Sequence, residues 1–271
     1  MVVRDLHDAC RSFERALGLP ARDFRDDQGQ GMQLDARILL GNECWLHLVQ
    51  NWNPESRVNR FLRERGEGLE HICIETDDIE ADVAHLRQIG VGVWEDRILD
   101  ANDGYEAFVF PDKLPGLTVE LIQSHERSWY YPPEAVGEPV SNSLKVSSLH
   151  HIGLCVHDLD DACRRFEQYF GLVAQDFAAD ERLAMRKAHI HFDNRCSLQI
   201  VESRNPASRA GRFLRERGEG LDHIALHTGD VGSDAARLRE RGIPHELGGL
   251  KALVGPDQLP GMAAELIPEP S

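Results

Sequence analysis

The stretch from Asn53 to Ile72, NPESRVNRFLRERGEGLEHI, returns almost unchanged as NPASRAGRFLRERGEGLDHI from Asn205 to Ile224, so the chain is one unit copied in tandem. Each residue of one half then has a counterpart about 150 positions away, and its fate in the two copies can be compared. A length of 271 residues divided by this repeat gives two domains, each large enough to bury a core. The boundaries expected are 1–123, a linker at 124–147, and 148–271. The linker carries prolines and the polar stretch SNS, with Trp129, Tyr130 and Tyr131 expected to pack as an anchor.

Composition narrows the partners. No apolar run reaches the roughly 18 residues needed to cross a bilayer, and MVVRDLHDA lacks the basic start and apolar core of a secretory signal. A cytoplasmic location is expected. A net charge of −16 argues against nucleic acid or an anionic membrane as the main partner, because either needs a cationic face. A small-molecule substrate is the expected partner. The six cysteines contain no CxxC, and two pairs follow the repeat, Cys10 with Cys163 and Cys44 with Cys196. They read as reduced, partly buried thiols.

Apolar residues at Leu159, Ala162, Cys163, Phe166, Tyr169 and Phe170 fall at helical spacing, with Gly171 placed to stop the helix. Leu6 to Leu17 repeats the pattern before Gly18. HHIGLCV, His150 to Val156, reads as the strand before the second of these helices, and HIALHT, His223 to Thr228, precedes a further helical pattern ending at Gly242. Short alternating runs at Ile38 to Val49, with a turn at Gly41-Asn42, at Ala107 to Phe110 and at Leu117 to Ile122 supply further strands. The fold class predicted is α+β, with four β-α-β-β-β modules.

These residues resemble the vicinal oxygen chelate superfamily, which includes glyoxalase I, methylmalonyl-CoA epimerase, extradiol dioxygenases and bleomycin-resistance binding proteins. The likeness covers nearly the whole chain and is carried by HHIGLCVHDLDDACRRFEQYFGL, by FLRERGEGLxHI in both halves, and by PGLTVELIQ and PGMAAELIP. RERGEG followed by x-His-Ile is most similar to the methylmalonyl-CoA epimerases. The resemblance implies tandem glyoxalase-like domains, two cupped mixed sheets, and a divalent metal (cobalt, zinc, nickel, manganese or iron) held by strands facing the cup. A homodimer is also within the superfamily's habits.

Carried across by position, the metal positions are His151, Gln199, His223 and Glu265 in the second half. Two imidazoles, an amide and a carboxylate suit such a metal and leave two sites open for a bidentate substrate. Alternation predicts that Leu198 and Ile200 point away from Gln199, and Asp222 and Ile224 away from His223. In the first half the counterparts are His47, His71 and Glu120. The residue matching His151 falls before Met1, because VVRDL aligns with CVHDL and sets Met1 opposite Leu154. The first domain is therefore expected without its first strand and one ligand, with Met1 read as an internal methionine. Between Gly242 and Glu265 the second half is seven residues shorter than Gly90 to Glu120, which predicts a trimmed hairpin.

The resemblance implies an enzyme working through a metal-stabilised enolate, as an epimerase, isomerase or lyase on a small carboxylate or acyl-CoA thioester. An epimerase needs bases on both faces of the enolate. One resembles the metal-bound glutamate, Glu265 or Glu120; the other is matched nearest by Glu181 and more loosely by Asp27. His189 and His191 share one strand face and become further bases if that face lines the cup. The alternative is an iron(II) dioxygenase, ring-cleaving or acting on a 2-oxo acid, with His151, His223 and Glu265 as its facial triad. A second alternative is a non-catalytic small-molecule binding or resistance protein, although that class lines its groove with aromatics and only 7% of these residues are aromatic. Arg60, Arg63 and Arg65 of the repeat read as a solvated face.

Overall fold

A computed structural model describes residues 1–26, 32–101, 104–110, 112–125 and 144–270. The amphipathic pattern before each stop glycine becomes a helix, α1 (Leu6–Leu17) in the first half and, in the second, the helix Leu159–Phe170. Asp5 and Asp158 cap them by accepting from the N–H of Asp8 and Asp161. Gly18 and Gly171 end them with φ of 69° and 68°, a left-handed turn that a Cβ disfavours.

After α1 come β1 (Ala21–Asp26), β2 (Gln33–Gly41), β3 (Cys44–Asn51), α2 (Arg57–Arg65), β4 (His71–Glu75) and α3 (Ile79–Gln88). The first half closes with β5 (Leu99–Asp100), β6 (Gly104–Val109) and β7 (Thr118–Ser124). The second half runs β8 (Val146–Val156), α4 (Leu159–Phe170), β9 (Gln175–Asp180), β10 (Met185–His191), β11 (Ser197–Ser203) and α5 (Arg209–Arg217). It ends with β12 (Gly220–Thr228), α6 (Val231–Glu240), β13 (His245–Gly248), β14 (Lys251–Val254) and β15 (Ala263–Pro268). Trp129, Tyr130, Tyr131 and Asp27 lie outside the described residues.

The halves differ in the strand that joins their modules. In the second half β8 pairs parallel with β11 and antiparallel with β12, fusing eight strands in the order β13-β14-β15-β12-β8-β11-β10-β9. In the first half Val2 alone bridges Val49 and Gly68, the counterparts of the Val201 and Gly220 that pair with Cys155. Its strands form two sheets, β1-β2-β3 and β4-β7-β6-β5. The shortened stretch of the second half needs a correction: the hairpin β13–β14 is present. The loss falls mainly on the helix-to-strand connection, where residues 89–98 of the first half are replaced by 241–244.

Helices α1 and α4 cover one face of the strands, and a connected cluster of buried apolar side chains, Phe13 and Ile38 in one half and Leu154, Phe166 and Ile200 in the other, runs through both halves. Among the described residues no helix is long and apolar enough to cross a membrane.

The repeated RERGEG segment turns out to be the junction of the halves. Arg65 donates to the carbonyls of Gly116, Arg217 and Glu219 at 3.0, 2.7 and 2.6 Å. Arg217 answers with donations to Gly261 and Glu67, both at 2.6 Å, and to Arg65. Arg65 is thus no solvated cation, unlike Arg60 and Arg63, which are exposed. The closing glycines fit against the same turns: a Cβ on Gly116 would lie 1.9 Å from the Glu219 carbonyl oxygen, and one on Gly261 1.9 Å from that of Glu67.

Candidate metal centre

Three neighbouring strands of the second half, β8, β12 and β15, carry His151, His223 and Glu265, and one ligand atom from each lies within 4.8 Å of the others. Register explains the convergence, because His151 and Glu265 both sit opposite Ala225, one across each edge of β12. The two imidazole Nε2 atoms are 3.2 Å apart, and His223 Nε2 is 3.9 Å from Glu265 Oε1. Both histidines are 2% exposed, so neither is a surface side chain that happens to point this way. The His223 ring lies flat over Gly153: a Cβ there would fall 1.9 Å from its Cε1 atom.

Two irregularities in the β8–β12 ladder set what surrounds the triad. The register shifts between Leu221 and His223, and again where Ala225 and Leu226 face His151 and Leu149. Asp222 and His150 are the extra residues at these bulges, and a bulge re-aims its side chain. The expectation that Asp222 points away from His223 is therefore corrected: its Oδ2 lies 3.1 Å from His223 Nδ1. A proton on Nδ1 held by Asp222 leaves Nε2 as a lone pair aimed at the triad. His150 Nδ1 is likewise 2.6 Å from His151 Nδ1, which leaves the His151 Nε2 free to ligate.

Arg209, the first residue of α5, closes the far side. It pairs with Asp222 at 2.6 Å and Glu265 at 2.9 Å, and Lys251 reaches the other Glu265 oxygen at 3.1 Å. Burial opposes charge on Glu265, but His223, Arg209 and Lys251 outweigh it and hold the carboxyl below its usual range. Burial, helped by the neighbouring His223 and His150, pushes His151 well below the ordinary imidazole range and keeps it neutral, as a metal ligand must be.

Gln199 shares this face, and its amide nitrogen meets His189. It lies opposite Gly153 and His189, and its Nε2 is 3.1 Å from His189 Nε2. His189 faces the site, with its ring centroid 5.8 Å from that of His151, and burial, helped by Lys187, lowers it to about 4. His191, on the same strand face, is exposed and pairs with Asp176 at 2.7 Å. Glu181 is exposed in the turn between β9 and β10. Met185 to His189 alone is a run of about 13 Å at the usual strand rise, so Glu181 does not join the triad.

The first half assembles differently. His71 and Glu120 meet at 3.2 Å, while His47 is 3.2 Å from Asp35. His71 Nδ1 is 2.6 Å from Glu70, which also pairs with Arg57 and accepts from Thr118 at 3.1 Å. Burial disfavours charge on His71, yet Glu120 and Glu70 raise its pKa. Among the described residues the only grouping of three or more histidine, cysteine or acidic side chains at metal-binding distances is that of the second half.

Sequence reasoning missed Arg209, Asp222, His150 and Lys251. The first two had a signal: both copies keep an arginine in SRxxRF and an acid before His-Ile, as Arg57 with Glu70 and Arg209 with Asp222.

The fold and this site place the chain in a known class. Residues 1–108 and 150–253 match the Glyoxalase/Bleomycin resistance protein/Dioxygenase superfamily, and the chain belongs to it. It is 22% identical over 209 residues to 4-hydroxyphenylpyruvate dioxygenase of Caenorhabditis elegans, a match covering 69% of this chain and 53% of that protein. The chain spans about half the length of the curated relatives it matches. Among solved structures, a triple mutant of 4-hydroxymandelate synthase from Streptomyces coelicolor superposes with a TM-score of 0.71 at 14% identity, over 98% of this chain and 90% of that one. That likeness is one of fold. Methylmalonyl-CoA epimerase from the same organism is 27% identical over 48% of this chain and 100% of its own, with a TM-score of 0.41.

Proposed function

We propose that the chain is a divalent-metal enzyme whose site is His151, His223 and Glu265, and that it acts as an iron(II)-dependent dioxygenase on a small substrate binding through two adjacent oxygens. The observation carrying this reading is the donor set. Two buried imidazoles and one carboxylate converge, while the described contact of the Gln199 amide is with His189. Two histidines and one carboxylate with open positions form the arrangement of non-haem iron oxygenases. The curated relatives are dioxygenases, which supports the same reading.

The residues fit such a metal: both Nε2 atoms have their Nδ1 partners behind them, and the glycine at 153 leaves room for the His223 ring. When bound, the metal supplies Lewis acidity toward the substrate oxygens. The chain's own groups do the rest. Asp222 and His150 fix the ring orientations, while Arg209 and Lys251 hold Glu265 on the triad side. His189 stands beside the triad as a neutral imidazole that can take a proton from substrate.

That imidazole also supports the second reading, proton transfer through an enolate in an epimerase, isomerase or lyase. It supplies a base near the metal that Glu181 does not.

Metal content and reactivity of protein purified without oxygen, for the wild type and His223→Ala, separate these readings. Stoichiometric iron in the wild type alone, with oxygen uptake on 2-oxo acids or catechols, is the expected result. Cobalt, nickel or zinc with solvent deuterium entering an acyl-CoA turns the assignment to the isomerase. A wild type that takes up no metal leaves a binding protein.

A further inference from the structure

Cys44 and Cys196 occupy equivalent places in the two copies, yet they do not sit in equivalent but separate cores. They face each other across the junction, Sγ to Sγ, at 3.7 Å. Cys44 opens β3 after the turn at Asn42 and Glu43, and Cys196 precedes β11 after the turn at Asn194 and Arg195.

The surroundings fix this meeting. Asn42 donates to the carbonyls of Leu149 and Asn194 at 3.0 and 2.9 Å, and accepts from the Leu149 N–H at 2.9 Å. A Cβ on Gly41 would fall 2.2 Å from the Ser147 carbonyl oxygen, so the first hairpin is seated directly on β8. Asn194 donates to Cys44 Sγ at 3.1 Å, and its own Oδ1 accepts from the Cys196 N–H at 3.3 Å. Both turns are locked to each other by side-chain amides, so the two sulfurs stay in contact without a covalent bond.

We propose that Cys44 and Cys196 form a reversible modification site, an intrachain disulfide that joins the two halves when the protein meets hydrogen peroxide. Cys44 is half-buried and Cys196 is buried behind it, and peroxide is small enough to enter beside Cys44. The S–H of Cys44 points to Cys196, and this contact lowers the Cys196 thiol against the opposing effect of burial, favouring its thiolate as the attacking sulfur. Cys196 Sγ attacks one peroxide oxygen and becomes a sulfenic acid, the O–O bond breaks, and the departing hydroxide takes up a proton to leave as water. Cys44 then attacks the oxidised sulfur, its proton leaves with the hydroxyl as a second water, and the S–S bond forms. Two thiols are oxidised and one peroxide is reduced to two waters. The bond closes a loop of about 150 residues, of the kind for which chain-entropy arguments predict large stabilisation.

The crosslink also lands beside β8, the strand that carries His151, because Ser197, the next residue, pairs with His151. Of the remaining thiols, Cys10, Cys155 and Cys163 are buried and Cys73 is exposed.

The test is peroxide treatment of the reduced full-length chain, in a Cys73→Ser background, followed by alkylation, trypsin digestion and mass spectrometry. The expected result is a linked pair of peptides, 38–57 with 196–204, that reductant separates. It should be absent from Cys44→Ser and from Cys196→Ser, and the oxidised protein should unfold at a higher temperature. Two free thiols after treatment, sulfinic acid on either cysteine without a crosslink, or a bond to another cysteine would each overturn the proposal. Since the wild-type pair is read directly, failure of a serine variant to fold does not spoil the result.

Discussion

At the scale of single residues, the site depends on small things that a ligand motif does not contain. Gly153 is one: its missing Cβ is the space that the His223 imidazole fills. Gly153→Ala should push that ring aside, at the cost of about 1–3 kcal/mol expected for overpacking a tight contact. Urea unfolding of the metal-free protein measures that cost, and metal titration should show binding falling at least tenfold. A variant that binds metal like the wild type would refute the placement of His223. The four ligand positions themselves were legible as residue types on strands, and the two histidines and the glutamate among them meet. Gln199 shares their face, but its described partner is His189. Alternation failed at Asp222 because one extra residue in a ladder reverses the facing of its side chain, and nothing in a single sequence marks where the ladder slips.

At the scale of elements, α2 and α5 are each tied to the following strand by a salt bridge, Arg57 to Glu70 and Arg209 to Asp222. Burial opposes charge on Glu70, but His71 and Arg57 outweigh it and depress its pKa. A carboxyl depressed in the folded state contributes stability that is present above its unfolded value and lost as pH falls through the folded one. Glu70→Gln should therefore cost roughly 3–5 kcal/mol near neutral pH, where it breaks a buried pair. The gap to wild type should narrow only below about pH 4. Urea midpoints of both proteins across pH 3 to 7 check this; a gap that does not depend on pH would mean that the pairing contributes nothing. Helices α1 and α4 were legible to their capping residues because caps are local. The trimmed hairpin was not, because the length lost came from a connection and the paired strands kept theirs.

At the scale of the whole molecule, the most nearly identical stretch of the repeat is where the two copies touch. Arg65 and Arg217 each bond backbone carbonyls of the other half, so a change in one copy must suit its own counterpart. Arg217→Ala should destabilise the chain by about 1.5–3 kcal/mol, the range for hydrogen bonds to a charged group. Arg217→Lys should rescue little, since an ammonium cannot reach several carbonyls in the fixed geometry of a planar fork. Combined with Arg65→Ala, the loss should be less than the sum of the two singles, because they share one interface. Chemical denaturation of the three variants decides it; full additivity would mean two unrelated surface arginines.

The sequence by itself determined the duplication, the β-α-β-β-β order of three modules with the first lacking its opening strand, and the chemical kinds at the site, because periodicity, caps and repeats are written locally along the chain. Only the tertiary structure decided which of those groups meet. It set Asp222 and His150 behind the ligands, Glu181 in an exposed turn, Arg65 in the junction and Cys44 against Cys196. Those outcomes depend on strand register and on the packing of one half upon the other. Both are settled by contacts between residues far apart in sequence, where no local pattern reaches.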